Sequence, residues 1–361
     1  MSLGDTSKYV DTLKRSITKN KYSSVGAIVG PYGYGKTSTA IHIWREMQER
    51  YNVLSIPPFE WLKLSDILEA VTAWVEYKFN QGPRQFIPDL RQIYEQYRDK
   101  SLQEQAANLG LDIDKAREAY EAGVINLGVT PARVIAFLMD VCALCTEKAG
   151  FAGLVVFVDE LQETAEKYAS MKAFLSDLLA FADKIPTQVG SLAVVFTMPD
   201  TLEANINTMR ADIIHRLRQS SLYLHVEAIY GREFPRQLWE KYAQVFDFQS
   251  EKFAPITADT LDAIGQIAMR GDLGAGPRTV INAMVEAVKH YEVVLRPYGP
   301  LDLVNGFLEN RISFEEQGKF SRSVRKALEN RLVASKPEYE RTIKLLARHA
   351  AGRAELSSIP G

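Results

Sequence analysis

Residues 30–38 read Gly-Pro-Tyr-Gly-Tyr-Gly-Lys-Thr-Ser and match the pattern G-x-x-x-x-G-K-[ST] at every fixed position. In such a loop, Gly33 and Gly35 allow the backbone angles that turn successive N–H groups toward phosphate oxygens. Lys36 brings a positive charge to the β- and γ-phosphates, and the hydroxyl of Thr37 is a ligand for Mg²⁺. The predicted phosphate-binding residues are Gly30, Pro31, Tyr32, Gly33, Tyr34, Gly35, Lys36, Thr37 and Ser38.

A pair of acids, Asp159 and Glu160, follows the apolar run of residues 154–158. The carboxyl ends of parallel strands face the ligand crevice, so we expect both carboxylates beside the phosphate loop. Asp159 is predicted to hold Mg²⁺, directly or through water, and Glu160 to orient and deprotonate the water that attacks the γ-phosphate. An acidic strand end is by itself often a solvated loop or a helix cap, so this interpretation depends on the phosphate loop.

The elements around the loop are the ones that phosphate binding requires. Residues 24–30 are a short apolar run typical of a strand, and Ala40, Ile43 and Met47 repeat at helical spacing after the loop. A glycine-rich turn can be purely structural, but a loop between a strand and a helix also gains the positive end of the helix. The sequence therefore predicts a phosphate site.

Further apolar runs predict the rest of a parallel α/β sheet. Residues 51–56 form a run closed by Pro57 and Pro58, residues 192–197 a run of the kind buried on both faces, and residues 222–226 a last strand. Helical patterns lie between the runs, which is the alternation of a parallel sheet. The predicted fold class is a P-loop α/β fold with added helices.

Three parts are predicted along the chain. Residues 1–233 form the α/β core with a helical insertion at about residues 80–129, residues 234–296 form a helical lid, and residues 297–361 form a helical, locally basic extension. Residues 102–122 superficially resemble a helix-turn-helix, but a plain helical hairpin is favoured because one short match is weak. The chain is also open to interpretation as a piece of a longer protein.

Composition is that of an ordinary globular protein. Of the 361 residues 46% are hydrophobic and 24% charged, and a formal net charge of -2 gives no overall basic excess for nucleic acid. The only cysteines, Cys142 and Cys145, lack the second ligand pair of a zinc site, so we interpret them as buried helix residues of a reducing, cytoplasmic protein. No apolar run approaches the roughly 20 residues of a membrane span, and no signal-peptide pattern is present.

The order of the motifs over residues 24–291 resembles that of AAA+ ATPases. The phosphate loop corresponds to their Walker A motif, and Asp159 with Glu160 ends their Walker B motif. The resemblance implies ATP and Mg²⁺ as ligands. It also implies that Thr197, at the end of the following strand, is the sensor 1 residue that contacts the γ-phosphate or the attacking water. A buried hydroxyl bonded to local backbone is the alternative interpretation of Thr197.

The same resemblance implies roles for several arginines. Arg278, in the Gly-Ala-Gly-Pro-Arg segment of residues 274–278, corresponds to the sensor 2 arginine that reaches from the lid to the γ-phosphate, unless it is only a surface arginine. Arg216 and Arg218 stand just before the last predicted strand, where the family often places an arginine finger that acts on a neighbouring subunit's ATP. Arg210 is a third candidate for that finger.

Within the family, the chain resembles the initiator and origin-recognition branch, or the related STAND and prokaryotic defence ATPases. Two features depart from this pattern. The interval between Lys36 and Asp159 is unusually long because of the helical insertion, and there is no clear pore-loop aromatic motif of the kind used to thread polypeptides.

The resulting hypothesis is an ATP-hydrolysing enzyme that drives a conformational cycle of a homo-oligomer, or of a complex with a partner ATPase, on DNA or a protein–DNA complex. The first alternative is a STAND-like signalling or defence switch with slow turnover, and a P-loop kinase is a further one. DNA binding is assigned to the basic residues 320–353. The alternative interpretation is that their cations form the solvated face of amphipathic helices. No membrane partner is predicted.

Overall fold

The computed structural model describes residues 4–19, 22–125, 127–226, 233–245, 255–268, 277–294, 296–308 and 312. These residues belong to two compact units, which are described separately. An α/β unit contains the residues up to Val226 apart from residues 32–35, and a helical unit begins after it. The basic residues 320–353, to which DNA binding was assigned, lie outside the described residues.

The α/β unit is built on a five-stranded sheet. Its strands are β1 (Ser24–Gly30), β2 (Leu54–Glu60), β3 (Leu154–Asp159), β4 (Leu192–Pro199) and β5 (Tyr223–His225). They pair in the order β2-β3-β4-β1-β5, and every pair is parallel. This confirms the predicted parallel α/β fold.

Helices connect the strands. In the α/β unit they are α1 (Gly4–Lys19), α2 (Lys36–Tyr51), α3 (Leu64–Gln81), α4 (Ile87–Leu109), α5 (Ile113–Glu121), α6 (Pro131–Ala143), α7 (Leu161–Lys167), α8 (Met171–Lys184) and α9 (Asp200–Gln219). Those of the helical unit are α10 (Phe234–Val245), α11 (Ala258–Ala268), α12 (Pro277–Val294) and α13 (Pro300–Leu308). Among the described helices, none combines the length and the hydrophobicity needed to cross a bilayer.

The central strands are apolar along their whole length because helices cover both faces of the sheet. Every residue of β3 and of β4 is buried. Trp61, directly after β2, packs against Phe181 of α8 and Phe196 of β4 with ring centroids 5.3 and 6.0 Å away. Full burial of one large apolar side chain contributes roughly 1.5–3 kcal/mol, so these rings hold the end of β2 firmly in the core.

Strand β2 differs from its prediction. We expected it to end at Pro57 and Pro58, but it continues through both prolines to Glu60. The sheet tolerates them because β2 is an edge strand, where a missing N–H breaks no ladder on the outer side. The pairing with β3 shifts register between Ile56 and Phe59, so the prolines sit in an irregularity of the strand.

The outer side of β2 is closed by two tryptophans. Trp44 of α2 and Trp74 of α3 both donate their indole N–H to the carbonyl of Ser55, at 2.8 and 2.9 Å. This carbonyl belongs to an edge strand, where unpaired backbone groups otherwise attract other strands.

Helices α3, α4, α5 and α6 lie between β2 and β3. Leu102 and Ala106 of α4 pack with Ala116 of α5 and with Leu127 in a small core of their own. In α6, the thiol of Cys142 is buried and burial raises its pKa to about 11; Cys145 follows in a π-helical turn and is also buried and free.

The helical unit has a separate core around Tyr298, which is fully buried. The Thr260 hydroxyl donates to the Tyr298 carbonyl at 2.9 Å, and the Tyr298 hydroxyl donates to the carbonyl of Asp302 at 2.7 Å. Arg296 binds the Asp302 carboxylate through two hydrogen bonds of 2.7 Å. These bonds join α11, the segment before α13, and α13 itself.

Candidate functional site

The phosphate loop lies between β1, which ends at Gly30, and α2, which begins at Lys36. Gly33 and Gly35 have φ angles of 78° and 83°. These angles fall in the left-handed region, which residues with a Cβ atom rarely adopt. The loop therefore has the backbone conformation for which its glycines were predicted, with the N-terminus of a helix directly after it.

Lys36 is the first residue of α2, and only 8% of it is exposed. Its Nζ donates to the carbonyl of Pro31 at 2.9 Å, so the ammonium group folds back over its own loop. Tyr34 is buried, whereas Tyr32 is 47% exposed.

Asp159 and Thr197 meet where β3 and β4 lie side by side. Asp159 is the last residue of β3 and is 6% exposed, and Thr197 in β4 is 1% exposed. The Thr197 hydroxyl donates to Asp159 Oδ1, and it accepts the backbone N–H of Glu160 at 3.2 Å. A hydroxyl has a single proton, so a hydrogen bond from Thr197 to a γ-phosphate requires that proton to leave Asp159.

Glu160 connects β3 to α7 with a backbone in the left-handed conformation, φ 51° and ψ 48°. For a residue with a Cβ atom this conformation costs roughly 1–2 kcal/mol. Its carboxylate Oε2 accepts a hydrogen bond from Nε2 of Gln162. Strained backbone of this kind tends to cluster at functional sites, because the surrounding structure must be built to hold it.

The sheet brings these groups to one edge. In the strand register Gly30 is opposite Pro199, so the end of β1 lies beside the end of β4. Asp159 is bonded to Thr197 of the same β4, and α2 packs against β1, β3 and β4. The phosphate loop, Asp159, Glu160 and Thr197 thus all belong to the carboxyl edge of the sheet, where ligands of open α/β sheets bind.

The chemistry of this edge fits a Mg²⁺-bound nucleoside triphosphate. Backbone N–H groups of the loop, the Lys36 ammonium and the end of α2 are suited to phosphate oxygens. The Thr37 hydroxyl and the Asp159 carboxylate are hard oxygen donors of the type that Mg²⁺ prefers. Gly30 adds a steric condition at the base of the loop, because a Cβ there would lie 2.6 Å from the carbonyl oxygen of Val226.

All three candidate finger arginines lie on α9, and each has a carboxylate partner. Arg210 is bonded to Asp212 at 2.8 Å, and Arg216 is paired with Asp183. The α9 backbone is non-helical at Arg210.

The third, Arg218, is paired with Glu203 in the first turn of α9 and also lies over the ring of Tyr223, 5.3 Å from its centroid. The side chain of Arg216 is 41% exposed and that of Arg218 is 57% exposed.

Arg278 is in the first turn of α12, in the helical unit. Its side chain and residues 274–276 lie outside the described residues. Its role as sensor 2 stays a prediction.

A group of possible metal ligands lies beside the arginines. Asp200, Glu203 and His225 place one ligand atom each within 4.8 Å of one another. However, Glu203 already accepts hydrogen bonds from Arg218 and Tyr223. A fixed guanidinium at this distance disfavours a second cation, so we assign no metal here.

The sequence did not indicate Gln162. Its contact with Glu160 joins residues two apart at the start of a helix, a spacing that belongs to no motif and follows only from the left-handed turn at Glu160. The side-chain bond between Thr197 and Asp159 was also not predicted, although both residues were candidates.

No protein-family model matches the chain, and no curated protein matches it. Among solved structures, the chain is similar to the ORC2 protein of Aeropyrum pernix in its ADPNP–ADP complexes, with a TM-score of 0.53 and 16% identity over 84% of this chain. The match covers 67% of the ORC2 chain, about two thirds of its length. Domain III of the replication initiation protein DnaA from Thermotoga maritima matches 87% of this chain, with a TM-score of 0.42 and 11% identity. At this identity the ORC2 likeness establishes the fold.

Proposed function

Because the chain has the P-loop α/β fold of AAA+ ATPases, we propose that it binds ATP with Mg²⁺ and hydrolyses the ATP at the carboxyl edge of its sheet. Hydrolysis is proposed to change the conformation of an oligomer that acts on DNA or on a protein–DNA complex. The likeness to ORC2 supports the initiator branch of the family.

One observation supports the proposal most strongly: a single buried hydroxyl, that of Thr197, is bonded to both predicted acids. The bond to Asp159 orients the carboxylate that is proposed to bind the metal ion. The bond to the backbone N–H of Glu160 fixes the position of the residue that is proposed to be the base. A solvated loop or a plain helix cap does not require a buried hydroxyl that is hydrogen-bonded to both residues. The arrangement is suited to phosphoryl transfer, where catalysis consists largely of positioning and charge.

In the proposed mechanism, the loop N–H groups and Lys36 bind the phosphates, and Thr37 with Asp159 holds the metal ion. Mg²⁺ would supply charge neutralisation on the β- and γ-phosphate oxygens. Glu160 accepts the proton of the attacking water, and an arginine of a neighbouring copy stabilises the charge that develops in the transition state.

Two substitutions separate binding from hydrolysis. Lys36→Ala is expected to weaken ATP binding strongly, because it removes the only cation assigned to the loop. Glu160→Gln is expected to retain ATP affinity and to lower kcat about 10²–10⁴-fold, the usual contribution of a general base. ATP affinity is measured by titration and turnover by phosphate release. Unchanged turnover of Glu160→Gln would remove Glu160 from its role.

The alternative of a slow switch uses the same residues, and turnover decides between them. An oligomer that hydrolyses ATP continuously and faster in the presence of DNA agrees with the proposal. A chain that assembles on ATP but turns over only once in many minutes agrees with the switch.

DNA binding is tested on the full chain with duplex DNA. Affinity that falls with salt, and that falls further on charge reversal at Arg325 and Lys326, supports the basic residues 320–353 as the DNA-binding surface. Affinity that does not respond to either change rejects this assignment.

A further inference from the structure

Gln162 lies in the first turn of α7, two residues after Glu160, and is 6% exposed. Its side-chain amide donates to the Glu160 carboxylate. A carboxylate only accepts hydrogen bonds, so the amide nitrogen must face Glu160 and the amide oxygen must point away from it. The orientation of this amide is therefore fixed by the acid beside it.

The other end of the amide gives a second, independent observation. Gln162 Oε1 is buried and has no hydrogen-bond partner among the described residues. Leaving a buried acceptor without a partner costs on the order of 1–3 kcal/mol, and an apolar side chain of similar size would avoid that cost. A glutamine at this position therefore lowers stability relative to an apolar side chain of similar size. This cost indicates that the amide nitrogen has a function other than stabilising the fold.

Stabilisation of helix α7 does not explain the glutamine. The cap of α7 is formed by Glu160, whose side chain makes no capping hydrogen bond to the helix backbone. Elsewhere in α7, the fully buried Leu161 packs in the core and the Thr164 hydroxyl donates to the carbonyl of Trp61. The hydrogen bond from the Gln162 amide instead goes to the carboxylate of the proposed base.

Glu160 is consequently held at two points. Thr197 of β4 binds its backbone N–H, and Gln162 of α7 binds one oxygen of its carboxylate. An oxygen that already accepts one hydrogen bond is the weaker acceptor for a further donor, so the other oxygen of the carboxylate is the one presented more freely to a water molecule. Positioning of this kind matters because displacement of a reacting group by about 1 Å can lower a rate roughly 10²-fold.

We propose that Gln162 is a positioning residue that acts through Glu160: its amide fixes Oε2 and so directs Oε1 of Glu160 toward the attacking water. The proposal rests on the proposed ATP hydrolysis. Gln162 itself is not assigned a contact with ATP, water or metal.

The main test replaces Gln162 with leucine, which keeps a similar volume and removes the amide. We expect kcat to fall about tenfold or more, while KM and the ATP dissociation constant stay within about twofold. We also expect the nucleotide-free chain to unfold at an equal or higher urea concentration, since the unpartnered acceptor is gone. A purely structural role predicts lower stability instead. Gln162→Asn keeps an amide on a shorter side chain, and we expect it to recover part of the loss.

Gln48→Leu is the matched control. Gln48 lies in α2 and also has a buried, unpartnered Oε1 among the described residues. It stands twelve residues after Lys36 in the same helix, which places it about 18 Å from the phosphate loop. This substitution is expected to leave kcat unchanged.

A double-mutant cycle with Glu160→Ala decides whether Gln162 acts through Glu160. If it does, Gln162→Leu lowers kcat in the wild-type background and adds nothing in the Glu160→Ala background. An equal loss in both backgrounds, or an unchanged kcat in Gln162→Leu, overturns the inference. Absence of ATP turnover in the wild-type chain is a different outcome, because it overturns the proposed function as well.

Discussion

A single hydroxyl group, that of Thr197, joins the two acids of the site. The hydroxyl donates a hydrogen bond to Asp159 and accepts one from the backbone N–H of Glu160. Asp159 and Thr197 are both buried at the edge of the sheet. At the scale of residues, the site is thus a chain of hydrogen bonds in which each member depends on its neighbour.

We predict that Thr197→Val destabilises the chain by about 1–3 kcal/mol, because a side chain of equal shape leaves two buried polar groups without their partner. We also expect a lower kcat, since Asp159 and Glu160 both lose an orienting bond. Urea unfolding and phosphate release measure the two effects.

Thr72→Val is the control for this change. The Thr72 hydroxyl is buried but donates to the Leu68 carbonyl of its own helix at 2.7 Å. That carbonyl keeps its helical partner after the substitution, so the loss of stability is expected to be clearly smaller. Equal losses at both positions would contradict the special role of Thr197.

The left-handed backbone of Glu160 gives a second prediction at this scale. Glu160→Gly and Glu160→Ala both remove the base, and we expect both to lower kcat strongly while a residual turnover stays measurable. The glycine variant should nevertheless be the more stable of the two, by up to about 1 kcal/mol, because only the alanine keeps the left-handed strain.

The same pair of substitutions at Glu163 gives the opposite order. Glu163 lies inside α7, where glycine costs about 1 kcal/mol relative to alanine. Comparing urea midpoints at the two positions thus isolates the backbone effect. Glycine less stable than alanine at both positions would show that Glu160 carries no strain.

At the scale of elements, the sequence predicted the parts that follow from local pattern. The phosphate loop and β1 were predicted at their observed positions, because the fixed residues of the motif leave few other uses for such a segment. Strand β4 was predicted because an unbroken apolar run must be covered on both faces, although it continues beyond the predicted residues 192–197 to Pro199. The end of β2 was predicted wrongly, since the tolerance for Pro57 and Pro58 depends on β2 being an edge strand. Edge position is a property of the whole sheet, so it could not be read from residues 51–58 alone.

The site shows the same division. The sequence indicated Lys36, Asp159 and Glu160 as candidate site residues, because each of them belongs to a motif. The hydrogen bonds from Thr197 to Asp159 and from Gln162 to Glu160 could not be predicted from the sequence. The first depends on the pairing of two strands, and the second on the left-handed turn at Glu160. The partners of Arg216 and Arg218 likewise depend on how α9 packs.

The close approach of β1 and the segment leading into β5 gives a prediction for an element. A Cβ on Gly26 would lie 2.5 Å from the carbonyl oxygen of Leu222 and 2.9 Å from the hydroxyl of Tyr9. Since backbone must move to make room, we expect Gly26→Ala to destabilise by about 1–3 kcal/mol in urea unfolding.

Gly128→Ala tests whether crowding of backbone is the cause. Its Cβ would also meet an atom at 2.6 Å, but that atom is Oε1 of Gln105, the tip of a flexible side chain. Gln105 can turn away, so we expect little loss of stability. A large loss at Gly128 and none at Gly26 would contradict the argument.

At the scale of the whole molecule, the proposed arginine finger requires a second copy of the chain. Arg216 and Arg218 are paired within their own chain, and the side chain of each is partly exposed. The Arg216–Asp183 pair is exposed on both sides, and exposed pairs contribute little to stability, so Arg216 can exchange its carboxylate for a phosphate of another subunit at small cost. The same exchange costs more for Arg218, because its partner Glu203 is buried.

We therefore predict that Arg216→Ala or Arg218→Ala abolishes ATP turnover while ATP affinity changes little. Folding stability is expected to change little for Arg216→Ala, whose ion pair is exposed. A mixture of that variant with Lys36→Ala should recover part of the activity, because an intact ATP site of one chain meets an intact arginine of the other. Phosphate release from the mixture is the measurement.

Arg91→Ala is the control for the loss of an exposed pair, since Arg91 is bonded to Glu76 on the insertion. The Arg91→Ala variant should retain full turnover without mixing.

If no mixture of the Arg216 or Arg218 variant with Lys36→Ala recovers activity, the arginine acts within its own chain.

The two indoles on the Ser55 carbonyl have a consequence for molecules held close together. An assembly keeps many copies at high local concentration, and the open margin of a sheet is where neighbouring chains most readily add a strand and begin a fibril. Trp44 and Trp74 already occupy the acceptor that an incoming strand would need there. This part of the β2 edge is thus less available to a strand of another molecule.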